Sequence, residues 1–324
     1  MSIQTNTPIS TRKDLRIWYN DGNVVIIAED VAFRVHQSIL SSNSDVFRDL
    51  FQVPQPPTPS DGDTFEGFPA VHSHDKSCDM AEFLAVLYGG SQSFSPAVLY
   101  SLPKLIAVAR LSHKYQCEDL LAAALSRLQD VFPTKFASWC TSTLNAPESG
   151  PAACERPRLA HVISAINLYR YIGRNDILPV AFYFCALVDP LDLINGVSTP
   201  EIGTIERLSP SDLAQCIRLR TALGIRWTHC LHYAVKTGHD HDNETEKGRV
   251  CKIAMEYLLQ SAEETFDDVG CGYGLLRNWK SSLPVGVIDQ CFGNFTTIWS
   301  VTQKELWGDL PELCGLGEIN GWSE

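Results

Sequence analysis

Asp14-Leu-Arg-Ile-Trp-Tyr-Asn-Asp-Gly-Asn-Val-Val-Ile-Ile-Ala-Glu-Asp-Val-Ala-Phe-Arg-Val-His-Gln-Ser-Ile-Leu-Ser-Ser-Asn-Ser-Asp-Val-Phe-Arg-Asp-Leu-Phe51 changes its hydrophobic period once, and that change sets the fold. Leu15, Ile17 and Tyr19 alternate with Arg16 and Trp18, a period of two that predicts a strand. Asp21-Gly22-Asn23 predicts a hairpin-type turn, and Val24 to Ala28 follows as an apolar, β-branched run. Glu29-Asp30 turns the chain again, and Val31 to Val35 can extend. Beyond Val35 the period lengthens. Val35, Ile39 and Leu40 share one face of a short helix, and Val46, Phe47, Leu50 and Phe51 share a face of another. Ser44 has the chemistry of an N-cap for that second helix.

The spacing Phe33-x-Val35-His36-x-x-Ile39-Leu40-x-x-x-Ser44-x-x-Phe47-x-x-Leu50-Phe51 resembles the signature of the BTB/POZ domain. Asp14, Phe33, His36, Ser44 and Phe47 stand where that family carries an aspartate at the first strand, a Phe-x-x-His at a strand end and a Ser-x-x-Phe opening a helix. Downstream, Phe83 to Gly90, with Leu87 and Tyr88, is similar to the family's helix ending in Leu-Tyr-x-Gly. Leu105-Ile106-x-Val108-Ala109-x-Leu111-x-x-Lys114-Tyr115-x-Cys117-x-x-Leu120 is similar to its next helix pair. Three segments in the right order are far more specific than any one alone. The chain with its helical tail resembles the BTB-domain proteins that are numerous in mushroom-forming, basidiomycete fungi.

The resemblance implies an α+β fold over residues 14–135, a small mixed sheet covered by helices, followed by an all-α C-terminal region. It also implies work through protein partners rather than catalysis, with His36 a structural residue at the strand–helix corner. Related domains form homodimers through the first strand and first helix, so Leu15, Ile17, Ile39 and Leu40 are the implied dimer contacts. The same residues would equally serve a monomer's core, because core and interface faces have similar composition. Cullin-binding members carry an apolar-x-Glu element, to which Phe65-Glu66 comes near. The family often carries a basic residue just after the histidine, where this chain has Gln37, a departure that bears on the charged pocket of its transcription-repressor members. A substrate adaptor of a cullin-based ubiquitin ligase, and a transcriptional co-regulator that does not touch DNA, are therefore the alternatives to a self-associating scaffold.

Outward from this stretch, residues 1–13 are polar and short and are expected to be disordered, with no apolar core of a secretory leader. Four prolines between positions 54 and 59 exclude helix and ladder, while Pro69 to Ser73 can supply a further strand. Met80 to Tyr88 predicts a helix ended by Gly89-Gly90, and Ser95-Pro96 predicts the start of the next. Leu121, Ala124, Leu125 and Leu128 line one helix face. Residues 141–157 read as a linker, with Pro147, Gly150, Pro151 and Pro157 among small and polar residues. Residues 158–324 are predicted helical: Leu159 to Tyr169, the apolar Ile177 to Val188, a helix opened by Ser209-Pro210-Ser211-Asp212, one around Val250, Ile253, Ala254, Tyr257 and Leu258, and a last one over Ile288 to Leu306. Pro190 to Glu206 reads as loop.

The 324 residues suit two domains, and the formal net charge is −12 with no Lys/Arg cluster. Such a chain repels phosphate backbones, so no nucleic-acid partner is expected. No apolar run is long enough to span a membrane, which suits a cytoplasmic or nuclear protein. The eleven cysteines are scattered without a Cys-x-x-Cys, so free, mostly buried thiols are expected. Chemistry finds little footing. His229, Cys230, His232, His239 and His241 are the densest cluster of ligand types, but they lack zinc-finger spacing. Gly270-x-Gly272-x-Gly274 has no preceding strand, and no nucleophile elbow, P-loop or His-Glu-x-x-His occurs. No enzyme activity, metal or cofactor is expected.

Overall fold

The structure, a computed structural model, describes residues 11–53, 64–90, 101–141, 159–198, 205–237, 245–269, 276 and 289–323. The chain divides into two compact units between Leu128 and Gln129.

In the first unit the period-two segments become strands β1 (Arg12–Trp18), β2 (Val24–Ala28) and β3 (Val31–Val35). β2 and β3 form an antiparallel pair with Val24 opposite Val35 and Ala28 opposite Val31. The tight turn between them holds Glu29 at φ 51°. α1 (Gln37–Asn43) and α2 (Asp45–Gln52) follow, then β4 (Thr64–Phe65) and β5 (Phe68–Ser73), then α3 (Ser77–Gly89), α4 (Leu102–Lys114) and α5 (Glu118–Val131). The five strands make one mixed sheet in the order β1-β3-β2-β5-β4, with β5 parallel to β2 and β1 parallel to β3.

Side-chain alternation divides the sheet residues between two faces. Val24, Ile26, Ala28, Phe33 and Val35 join Leu40, Phe47, Met80, Phe83, Leu84 and Leu87 in the main core. Val25, Ile27 and Ala32 face the other way, against Trp18, Phe65, Phe68 and Ala70. Because both faces are covered, β2 reads as an unbroken apolar run instead of an alternating one. Phe47 is 2% exposed, so truncation to alanine would cost about 3–5 kcal/mol. Ser44 caps α2 as its sequence predicts, its hydroxyl accepting from the Phe47 amide. The proline-rich stretch at 54–59 and the Ser95-Pro96 helix start lie outside the described residues.

The second unit is helical: α6 (Phe136–Thr141), α7 (Leu159–Tyr171), α8 (Leu178–Ala186), α9 (Pro190–Asn195), α10 (Pro210–Thr237), α11 (Glu246–Val269) and α12 (Asp289–Leu313). A helix apolar on every side must be surrounded, and α8 packs against α7, α10 and α12. α6 belongs here because Trp139, 1% exposed, sits 5.9 Å from both the Tyr183 and Trp307 rings. The 141–157 linker expected from sequence lies, apart from Thr141, outside the described residues.

Two sequence expectations need correction. Pro190 to Glu206 is not simply loop. The Asp189 carboxylate accepts from the Leu191 amide and Pro190 fixes the first turn, so α9 forms, followed by the strand pair β6 (Val197–Ser198) and β7 (Ile205–Glu206). In α11, Gly248, Cys251 and Ala254 are buried, while Val250, Ile253 and Tyr257 are exposed. α11 thus forms where its spacing predicts a helix, with Ala254 of that spacing buried. The second correction concerns Asp21-Gly22-Asn23, which turns the chain but closes no hairpin, because β1 pairs in parallel with β3 and is not a neighbour of β2.

Candidate interaction surface

β1 lies at an edge of the sheet, where unpaired backbone groups can accept another chain. Its pairing with β3 is interrupted. Lys13 is opposite Ala32 and Trp18 is opposite Arg34, so the intervening β1 residues bulge outward. Asp14 makes the bulge: its Oδ1 accepts from the amides of Arg16 and Ile17, each at 2.8 Å. Leu15 is thrust into solvent at 97% exposure, whereas Ile17 is 2% exposed and packs in the core. Arg16 reaches from the bulge to Glu82 on α3 at 3.2 Å.

The four implied dimer contacts thus separate. Ile17 and Leu40 are buried in the unit's own core. Leu15 is exposed, and Ile39 is half-buried at the core's margin. The structure does not offer the four as one accessible patch, because the β1 bulge parts Leu15 from Ile17 and the successive helix positions Ile39 and Leu40 point to different sides.

The corner between β3 and α1 is held by polar contacts. Asn23 Oδ1 accepts from the Gln37 amide at 2.9 Å, so a neutral amide and not a charge meets the start of α1. The His36 amide donates to the Tyr88 hydroxyl at 2.7 Å, and His36 Nδ1 lies 3.0 Å from the same oxygen. His36 Nε2 is 3.3 Å from an Asp21 carboxylate oxygen. Tyr88 stacks on Tyr19 with centroids 4.4 Å apart, and burial is the main cause that pushes its phenol up to about 12. Arg34 fixes the preceding turn by donating to the Gly22 and Asn20 carbonyls, its guanidinium 3.8 Å from the centre of the Phe68 ring. These partners give His36 a structural place at the corner.

The remaining signature residues are internal. Phe33 and Leu87 are core residues. The Ser44 hydroxyl also donates to the Tyr115 carbonyl at 2.6 Å, and Phe47 stacks on Tyr115 at 4.6 Å. Sequence reasoning missed Asn23, Glu29, Arg34 and Asp75. Their partners lie far along the chain or in backbone atoms, and no local pattern encodes either.

Phe65-Glu66, the near match to the cullin-binding element, occupies the β4–β5 turn. Phe65 meets Trp18 edge-on at 6.2 Å, and Glu66, at φ 51°, pairs with Lys13 at 2.6 Å. His229 and His232 are exposed on α10, while His239, His241 and the Gly270–Gly274 run lie outside the described residues. Among the described residues no three His, Cys, Asp or Glu side chains are placed to hold a metal, and no helix is long and apolar enough to cross a membrane.

Residues 20–130 match the family model of the BTB/POZ domain. No curated protein matches the chain. The BTB/POZ domain is a protein–protein interaction module, and its matched span takes in β2, β3, the corner at His36 and helices α1 to α4.

Proposed function

We propose that this chain is a self-associating protein-interaction scaffold, contacting a second copy through the β1 edge and the outer side of α1. The observation that carries this reading is Leu15: a large apolar side chain at 97% exposure, held out by a bulge that Asp14 builds with two hydrogen bonds. A single exposed leucine is ordinary on a surface. One raised on a bulged sheet edge, in a domain whose work is protein contact, has a use there. Ile39 is the second contact, and Ile17 and Leu40 support both from within the core.

The alternatives draw less support. The neutral Asn23–Gln37 corner has no paired charges of the kind a repressor-type pocket uses. Phe65 and Glu66 are already engaged by Trp18 and Lys13. The test is multi-angle light scattering on the full chain over a concentration series, beside a Leu15→Asp/Ile39→Asp variant. The reading expects a dimer that the double variant loses without change in circular dichroism. A wild-type chain that stays monomeric at every concentration overturns it.

A further inference from the structure

We propose that residues 134–136 and the Trp307 indole form a groove for an extended, tryptophan-bearing peptide, and that residues 321–323 fill it in cis as a displaceable strap. α12 ends at Leu313, and the chain turns back through Gly315 and Gly317, both at φ 65°. It then lays Ser323 parallel to Lys135 in a single β-bridge. The Ser323 amide donates to the Thr134 carbonyl at 3.2 Å, and the Phe136 amide donates to the Ser323 carbonyl at 3.1 Å. Two indoles complete the contact. The Trp322 ring lies over Trp307 at 4.4 Å and 12°, and its Nε1 donates to the Trp307 carbonyl at 3.0 Å. Trp307 Nε1 donates in turn to the Ser323 carbonyl at 3.0 Å.

Strand addition, ring stacking and a directed indole N–H are the means by which binding grooves read extended peptides. Here the peptide is the chain's own. The floor and the strap differ in how deeply they are held. Trp307 is fully buried, 5.9 Å from Trp139 and 5.8 Å from Phe136. From Gly315 to Ser323 every residue is exposed or half-buried, and the segment contributes no helix. Segments with few buried contacts open at a small fraction of the global unfolding cost. The groove can therefore exchange its occupant while the helices stay folded, and the ligand it fits is an extended peptide carrying tryptophan followed by a small residue.

The test uses the full chain with Trp322→Ala and a fluorescent peptide of residues 317–323, followed by anisotropy. A tethered segment competes at an effective concentration on the order of millimolar. The peptide should therefore bind the variant at least roughly tenfold more tightly than the wild type, and the same peptide with alanine for tryptophan should not bind. Equal binding to both chains, or none to a variant that still melts cooperatively, overturns the proposal. So does loss of helical circular dichroism in the variant, because the segment would then be an inseparable part of the core.

Discussion

The Tyr115 phenol donates to the Asp75 carboxylate at 2.6 Å, tying the end of α4 to the residue two past β5. Ser73 and Lys114 also donate to that carboxylate. Burial alone would push the Asp75 carboxyl up, but the hydrogen bonds from Lys114, Ser73 and Tyr115 and the charge of Lys114 outweigh it and hold the group below the usual range. Burial first, then the bond to Asp75, pushes the Tyr115 phenol well up, so it remains a donor at any ordinary pH.

A carboxyl whose folded pKa is depressed stabilises the fold above its unfolded value, about 4, and loses that contribution as pH falls through the folded value. Asp75→Asn should therefore cost about 1–3 kcal/mol at pH 7. The gap between wild type and variant should narrow as the pH falls below about 4 and through the lowered folded value. Urea melts at several pH values read this directly. A gap that stays constant with pH would place the contribution in packing instead.

Glu29 caps α3 from a distance. Its carboxylate accepts from the Ser77 amide at 2.8 Å and the Ser77 hydroxyl at 2.7 Å, and these bonds lower its pKa. Glu29→Gln keeps an acceptor and should cost only a few tenths of a kcal/mol, while Glu29→Ala should cost about 1 kcal/mol, the ordinary value of a lost cap. Because Glu29 sits at φ 51°, Glu29→Gly should lose less than Glu29→Ala, since glycine relieves the left-handed backbone. The order of the three melting midpoints is the measurement.

What the sequence made legible follows from range. The period-two runs, the Ser44 cap and the positions of Phe33 and Phe47 rest on neighbours within a few residues, and β2, β3, α1 and α2 formed where those patterns put them. The turn at Asp21-Gly22 was legible as a turn, but local sequence could not show that the strands on either side of it do not pair with each other. The Asn23–Gln37 and Glu29–Ser77 contacts join residues 14 and 48 positions apart, so they became visible only in three dimensions. Leu15 and Ile17 look alike in an alternating strand, and only the bulge at Asp14 separates them. In α11 the spacing of Val250, Ile253, Ala254 and Tyr257 gave the helix, but helical periodicity does not say what a stripe faces, and of these four only Ala254 is buried.

That separation of Leu15 from Ile17 gives a sharp contrast. Leu15→Ala changes a side chain with nothing packed around it and should move stability by less than about 0.5 kcal/mol. Ile17→Ala empties a core site and should cost about 2–4 kcal/mol. Thermal melts of the two variants, read beside their oligomeric state, distinguish a contact residue from a folding residue. Similar losses for both would mean that the β1 bulge does not exist as described.

In the second unit the start of α10 depends on a charge that is nearly out of water. Asp212 has only 5% of its side chain exposed. Arg170 Nε and Nη2 both donate to its Oδ1, at 3.0 and 2.8 Å, and the Ser209 hydroxyl donates to its Oδ2 at 2.8 Å. Arg170→Met keeps the aliphatic bulk but strands the carboxylate, and breaking a buried pair from one side costs about 3–5 kcal/mol. Arg170 is itself 37% exposed, so water can follow it in, and a loss nearer 2–3 kcal/mol is expected. Asp212→Asn should lose less, because the amide oxygen can still accept from Arg170 and the charge left without its partner is the 37% exposed guanidinium, which water can reach. The double change Arg170→Met/Asp212→Leu should recover part of the single-variant loss, since a well-packed apolar pair often matches a buried ion pair. Chemical denaturation of the four proteins gives the coupling between the two positions. A double variant no better than the sum of its singles would show that Arg170 acts through Asn175, which its Nη1 reaches at 3.1 Å, and not through Asp212.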